Sequence, residues 1–405
     1  MTGAAVAQSV RQGQDFALLE RGRYLAVAAD CTACHTNPDD GRPFAGGRPI
    51  QTPFGTMIAP NITPDQQTGI GGWSDAQFDA ALRRGVMPSG ARLYPAMPYL
   101  YYTRLSAADV RALHAYLETV APVRHAVAPD QLPFPFDIRF AMKIWDALYF
   151  HPGPFKPDPS QSAEWNRGAY LVEGPGHCQA CHTPKTFLAA DETGRAFQGY
   201  TTQGWFAPDI TEDARRGLAA WTVADIVDYL KSGHNRLAAA SGPMAEEVAD
   251  SSSRMTLPDL TAIATYLKER TGHGAAPAAT PNAPVAAGDA RMVAGAAIYQ
   301  DLCSACHRPD GSGVAYLIPN LARSDAVASR RLDTLLRVVL EGAQSVATTA
   351  EPTGPSMPGY RAQLSDAQVA AVLTYIRNSW GHAAAAVSPG EVRQARARLA
   401  SPGHE

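Results

Sequence analysis

The sequence predicts an all-α protein built as three tandem small helical domains joined by irregular linkers, and three observations carry that expectation. A cysteine-containing pentapeptide occurs three times, the chain around its first two copies repeats, and a helix start with an apolar stripe follows every copy. The length of 405 residues suits this division, because it exceeds what a single core usually organises. Apolar residues make up 45% and charged residues 18%, as in an ordinary globular chain.

Taken in chain order, the first domain is expected over residues 14–122. Gly22-Arg23-Tyr24-Leu25 lies in an opening helix ahead of the pentapeptide Cys31-Thr32-Ala33-Cys34-His35, and Pro60-Asn61-Ile62-Thr63 follows it. Ser74 with Gln77 has the spacing of a capping box and should start a helix. Ser106 with Asp109 does the same for a closing helix, whose stripe is Val110-Leu113-Leu117 with Tyr116 beside its last member.

A Pro/Phe-rich linker is expected over 123–163. Within it Ile138, Met142, Trp145 and Tyr149 form one helical stripe, with Arg139, Lys143 and Asp146 elsewhere. Such a stripe packs on its own protein or meets a partner subunit or a membrane surface.

The second domain, 164–271, repeats the first at an offset of 147 residues. Gly168-Ala169-Tyr170-Leu171 precedes Cys178-Gln179-Ala180-Cys181-His182, then Pro208-Asp209-Ile210-Thr211, a helix start at Thr222 with Asp225, and a closing helix from Thr256 with Asp259. Its stripe is Leu260-Ile263-Leu267, with Tyr266. An Ala/Pro/Gly-rich spacer is expected over 272–289. The third domain, 290–382, carries Cys303-Ser304-Ala305-Cys306-His307, Pro319 followed by Asn320, and a closing helix from Ser365 with Gln368 along Val369-Val372-Ile376. Gly22, Gly168 and Gly295 would let the opening and closing helices approach closely. Residues 383–405 read as a short, Ala-rich, charged tail.

The pentapeptides use all six cysteines. Two thiols three residues apart followed at once by histidine is the attachment sequence of a c-type haem: the thiols bond the vinyl groups and the imidazole ligates the iron. A zinc site would have to join distant pairs and would not require a histidine after each. A redox dithiol is expected once, without the trailing histidine, and a disulfide inside each pair would be strained. Three covalent haems c are therefore expected, on Cys31, Cys34, Cys178, Cys181, Cys303 and Cys306, with His35, His182 and His307 as iron ligands.

The repeat also points to the opposite ligand. Met97 and Met244 each lie 62 residues after the ligating histidine and just ahead of the closing helix; Met357 holds the same place in the third copy, 50 residues after His307. Met57, Met87, Met142, Met255 and Met292 are expected to fill packing space, although Met87, which also precedes a proline, is the one rival to Met97; its position does not repeat. A thioether opposite an imidazole favours reduced iron and leaves no open position for a small molecule.

Each unit resembles a class I cytochrome c domain. The triplet resembles the three-haem cytochrome subunit of bacterial periplasmic, membrane-associated dehydrogenases that act on alcohol, gluconate, sorbitol, fructose or glucose. The stretches that carry this resemblance are Asn61-Ile62-Thr63-Pro64-Asp65, Leu93-Tyr94-Pro95-Ala96-Met97-Pro98-Tyr99, Glu164-Trp165-Asn166-Arg167-Gly168, Gly242-Pro243-Met244-Ala245-Glu246 and Ser379-Trp380-Gly381. The resemblance implies that Pro60, Pro208 and Pro319 each offer a backbone carbonyl to Nδ1–H of the ligating histidine. It also implies a catalytic dehydrogenase partner of flavin, PQQ or molybdenum type, a quinone or a downstream cytochrome or oxidase as acceptor, and a periplasmic place at the outer face of the cytoplasmic membrane.

Other functions are less well matched. A formal charge of −3 and the absence of a long basic run argue against nucleic acid as a partner. Met1 to Phe16 lacks the apolar centre of a signal peptide, which such relatives usually carry, so residues 1 to about 15 read as an artificial start or as a mature terminus with Met1 added. No dinucleotide fingerprint and no spare cysteine supply a two-electron acceptor, so no catalysis is expected of the chain alone. The rival readings are a free-standing electron carrier and a peroxidase-like enzyme with one open haem. His177, beside Cys178, reads as a loop histidine, since its counterpart is Asp30.

Overall fold

Residues 2–212, 217–270 and 283–400 are described by a computed structural model, which is mostly helical with three small antiparallel hairpins among the described residues. Most of the expected spacer 272–289, namely 272–282, and the end of the tail, 401–405, lie outside the described residues. The chain divides into two compact units, Met1–Cys178 and Gln179–Glu405.

The first unit runs α1 (Thr2–Ala28), α2 (Cys31–His35), the hairpin β1 (Pro49–Thr52) and β2 (Gly55–Ile58), α3 (Asp75–Arg84), α4 (Tyr99–Tyr102), α5 (Ala107–Leu117), α6 (Ala141–Tyr149) and α7 (Ala163–Glu173). Helix α3 starts where expected, with Ser74 and Gln77 satisfying each other's backbone N–H groups. Ser106 accepts from the Asp109 N–H at the start of α5. Helices α1 and α5 cross at Gly22, where an added β-carbon would stand 1.9 Å from the Ala112 carbonyl oxygen. Beside the crossing, Arg21 pairs with the buried Asp109 at 2.5 Å, and the Tyr170 hydroxyl donates to the same carboxylate. Leu25, Phe44, Phe78, Val110, Leu113 and Leu117 fill the core under it.

The linker is fastened to this unit. Thr56 and Gln131 exchange backbone hydrogen bonds at 3.1 and 2.7 Å, and Ile58 N–H donates to the Asp130 carboxylate. Helix α6 begins at Ala141, so Ile138 precedes it and is exposed. Trp145 is buried, and Met142 and Tyr149 are half-buried on the same face. Asp146, expected to lie elsewhere than on the apolar face, is buried too, because the Tyr99 hydroxyl donates to it at 2.7 Å and Arg92 lies at 3.3 Å. The exposed face instead carries Phe140, Ile144 and Leu148, one helical turn apart each.

The second unit runs α8 (Gln179–His182), the hairpin β3 (Gln198–Thr202) and β4 (Trp205–Asp209), α9 (Val223–Ser232), α10 (Pro243–Asp250), α11 (Leu257–Glu269), α12 (Ala290–Leu302), α13 (Ser304–His307), α14 (Asp325–Ala328), α15 (Asp333–Glu341), the hairpin β5 (Ala343–Gln344) and β6 (Ser356–Met357), α16 (Asp366–Ile376) and α17 (Pro389–Leu399). Thr222 and Ser365 head full capping boxes, and Thr256 accepts from the Asp259 N–H. Helices α12 and α16 cross at Gly295.

The stretch expected as a tail contains α17. Ser388 and Glu391 form its capping box, Pro389 occupies its first position, and Val392 and Ala395 are buried in the core that Leu340 and Leu373 also fill. Arg396 pairs with Asp366 of α16 at 2.8 Å. Among the described residues no helix is long and apolar enough to cross a membrane.

Candidate haem sites

Each pentapeptide coils through one helical turn. Cys31, Cys34 and His35 lie together in α2; Cys178 precedes α8, which holds Cys181 and His182; Cys303 caps α13, which holds Cys306 and His307. At spacings of three and four residues on a helix these side chains share one face. No disulfide joins the six cysteines. Burial pushes the Cys31 thiol up to about 12 and the Cys303 thiol up to about 11, which keeps both in the protonated form rather than as metal-binding thiolates.

The imidazoles are oriented in one way in all three copies. His35 Nδ1 lies 2.8 Å from the Pro60 carbonyl oxygen, His182 Nδ1 2.7 Å from that of Pro208, and His307 Nδ1 3.2 Å from that of Pro319. A carbonyl only accepts, so each ring donates from Nδ1, and its Nε2 is the atom with a lone pair left for a metal. Burial lowers the pKa of all three rings, with the proline carbonyls acting in the opposite direction. The donor set therefore fits a haem iron: a neutral, fixed imidazole beside two thiols positioned to form thioethers.

The proline carbonyls are held from two sides. Asn61 accepts from the Thr63 N–H at 2.9 Å and Asp209 from the Thr211 N–H at 2.8 Å, each closing a turn just past the proline. Asn320 accepts instead from Arg323 N–H at 3.0 Å. Behind each proline lies a glycine with positive φ: Gly46 at 71°, Gly199 at 80° and Gly313 at 65°. A β-carbon there would stand 2.5 Å from the Pro60 carbonyl carbon, 3.1 Å from that of Pro208 and 2.6 Å from the Pro319 carbonyl oxygen. Gly46 and Gly313 also donate their N–H to the carbonyls of His35 and His307. Sequence reading missed these glycines because they fall 11, 17 and 6 residues after the histidine. Their signal was a Gly ahead of each Pro-Asx pair, at no fixed spacing.

The three methionines are all half-buried, in three different local structures. Met97 ends a turn closed by its N–H to the Tyr94 carbonyl and packs on the first core. Met244 lies in the first turn of α10 among Ala240, Val248 and Val346. Met357 lies in β6 opposite Ala343. Of the others, Met255 and Met292 are buried, Met57 lies in β2, Met142 in α6, and Met87 in a tight turn bonded to Ala91.

The cytochrome c family model matches residues 19–121 and 292–380, which contain the first and third pentapeptides. The fructose dehydrogenase cytochrome subunit of Gluconobacter japonicus is 38% identical over 95% of this chain and 85% of its own. The chain belongs to the family of dehydrogenase cytochrome c subunits. The gluconate 2-dehydrogenase cytochrome c subunit of Pantoea cypripedii is 40% identical over 91% of this chain and 87% of its own. The cytochrome c subunit of the quinone alcohol dehydrogenase of Komagataeibacter europaeus is 38% identical over 98% and 86%. Covalently bound haem c is the cofactor of cytochrome c, and in this cytochrome subunit the second pentapeptide, between the two matched stretches, has the same histidine–proline geometry as the other two.

Proposed function

We propose that the chain is a three-haem electron-transfer subunit, one haem per predicted domain, which takes electrons from a catalytic dehydrogenase subunit and passes them to a quinone or another cytochrome. The observation that carries this reading is the threefold recurrence of an Nδ1-anchored histidine beside a Cys-x-x-Cys pair. When bound, haem c supplies one-electron acceptance and release.

The chain's own residues hold and tune that group. Cys31 and Cys34, Cys178 and Cys181, and Cys303 and Cys306 would anchor it; His35, His182 and His307 would ligate iron through Nε2 while Pro60, Pro208 and Pro319 fix the ring plane. Met97, Met244 and Met357 would add a thioether sulfur to the ligands of the iron and so raise its potential. A catalytic dehydrogenase partner is supported by relatives named as cytochrome subunits of fructose, gluconate and quinone-linked alcohol dehydrogenases; a flavin, PQQ or molybdenum type for that partner, and work at the periplasmic face of the cytoplasmic membrane, belong to the same proposal.

Intact mass of the denatured holoprotein tests the count: three haems are expected, and any other number refutes it. Mixing tests the role. The purified chain should stay oxidised with alcohol or sugar alone and become reduced once a dehydrogenase subunit and its substrate are both present. Rapid reduction by substrate without that subunit would make the chain an enzyme in its own right.

A further inference from the structure

The turn into the second pentapeptide passes through His177 at φ 35°, in the left-handed region that side chains rarely adopt. Asp30, just ahead of the first pentapeptide, has φ 48°. Leu302, ahead of the third, instead ends a regular helix. In the first unit the His177 ring lies against Tyr102 and Tyr101, with ring centroids 5.8 and 6.5 Å away. It hydrogen-bonds to the carbonyl of Ala29, which also accepts the Tyr102 hydroxyl at 2.7 Å. Burial holds the imidazole down to about 4, so it is neutral at physiological pH.

Ala29 is two residues before Cys31, and His177 is bonded to Cys178. An unbroken route therefore runs from Cys178 through His177 and one hydrogen bond to Ala29, then through Asp30 to Cys31. We propose that His177 is a positioning residue for electron exchange, joining the first thioether of the second haem to the first thioether of the first haem. Covalent bonds and a hydrogen bond couple donor and acceptor more strongly than a gap between packed surfaces does. One ferrous iron becomes ferric as the other ferric iron becomes ferrous; one electron moves, no proton is transferred, and His177 keeps its proton throughout. The proposal rests on the reading that both pentapeptides carry haem.

The test uses the full holoprotein. His177→Asn tolerates the left-handed backbone but is too short to reach Ala29, whereas His177→Gln can reach it. After a flash-injected electron, His177→Asn should redistribute charge between the first and second haems several-fold more slowly, with haem content and midpoint potentials unchanged, and His177→Gln should recover most of the rate. Wild-type exchange rates in a fully loaded His177→Asn protein overturn the proposal. If that variant loads haem poorly, the wild type decides: the His177 ring resonances should shift when either of the two haems changes redox state, and a ring that senses only one overturns the proposal. A wild-type chain lacking haem on Cys31 or Cys178, read by mass before any kinetics, refutes the functional reading and this proposal together.

Discussion

Gly295 lies so close under Ala371 that an added β-carbon would stand 2.2 Å from the Ala371 carbonyl oxygen and 2.7 Å from Tyr375 Cβ. Gly22 stands in the same relation to Ala112 and Tyr116. Alanine normally favours a helix over glycine by ~1 kcal/mol, and here the sign should reverse. Gly295→Ala is expected to destabilise the protein by about 1–3 kcal/mol through overpacking. Gly288→Ala, which meets nothing within 4 Å, is the control. Denaturant melts of the two variants compare them directly.

Local signals made much of this fold legible. Ser74, Thr222 and Ser365 cap helices because a side chain three residues away answers each one, and that pairing is written in the sequence. The hairpins were not legible: strands such as Gln198–Thr202 lack an alternating apolar pattern, and their partners come from turns rather than from burial. Helix α17 was read as a tail because its arginines hide a two-residue apolar face, Val392 and Ala395. At the sites, cysteine and histidine spacing is fixed by the cofactor, whereas the glycines behind the prolines answer to loop geometry and drift along the chain. The contact of His177 with Ala29 was not legible, because Ala29 comes from the other repeat.

Met97→Ala, Met244→Ala and Met357→Ala should each abolish one sulfur-to-iron charge-transfer band and lower one midpoint potential while covalent haem remains. Redox titration with optical detection reads both effects. Loss of the first haem's band in Met87→Ala, with Met97→Ala unaffected, would reassign that ligand.

Glu247 has its pKa raised to about 7 by burial, against an ordinary 4.5, even though the Ser252 hydroxyl donates to it at 2.9 Å. The folded state thus binds this proton more tightly than the unfolded chain. The associated stability is complete below pH 4.5 and is lost as pH rises through about 7. Glu247→Gln, which can still accept from Ser252, should be more stable than the parent by on the order of 1–3 kcal/mol at about pH 8. The advantage should vanish near pH 4, and thermal melts at the two values check it.

The two faces of α6 should respond differently to substitution. Asp146→Ala leaves the fully buried Tyr99 hydroxyl without its acceptor and should cost about 1–3 kcal/mol. Ile144→Ser alters a side chain that is 62% exposed and should stay within about 0.5 kcal/mol of the parent. Equal losses in chemical denaturation would contradict the observed orientation of the helix.

The Arg21–Asp109 pair closes a loop of 88 residues, and the first pentapeptide lies inside that loop. Contacts of such range form only after a large part of the chain has lost its freedom, which makes the crossing of α1 and α5 a slow event in folding. Before the crossing forms, Cys31 and Cys34 should be open to whatever machinery attaches the haem; in the folded chain Cys31 is buried. A side chain at residue 22 that delays the crossing should therefore act on timing as well as fit, lengthening the interval in which the thiols can be modified.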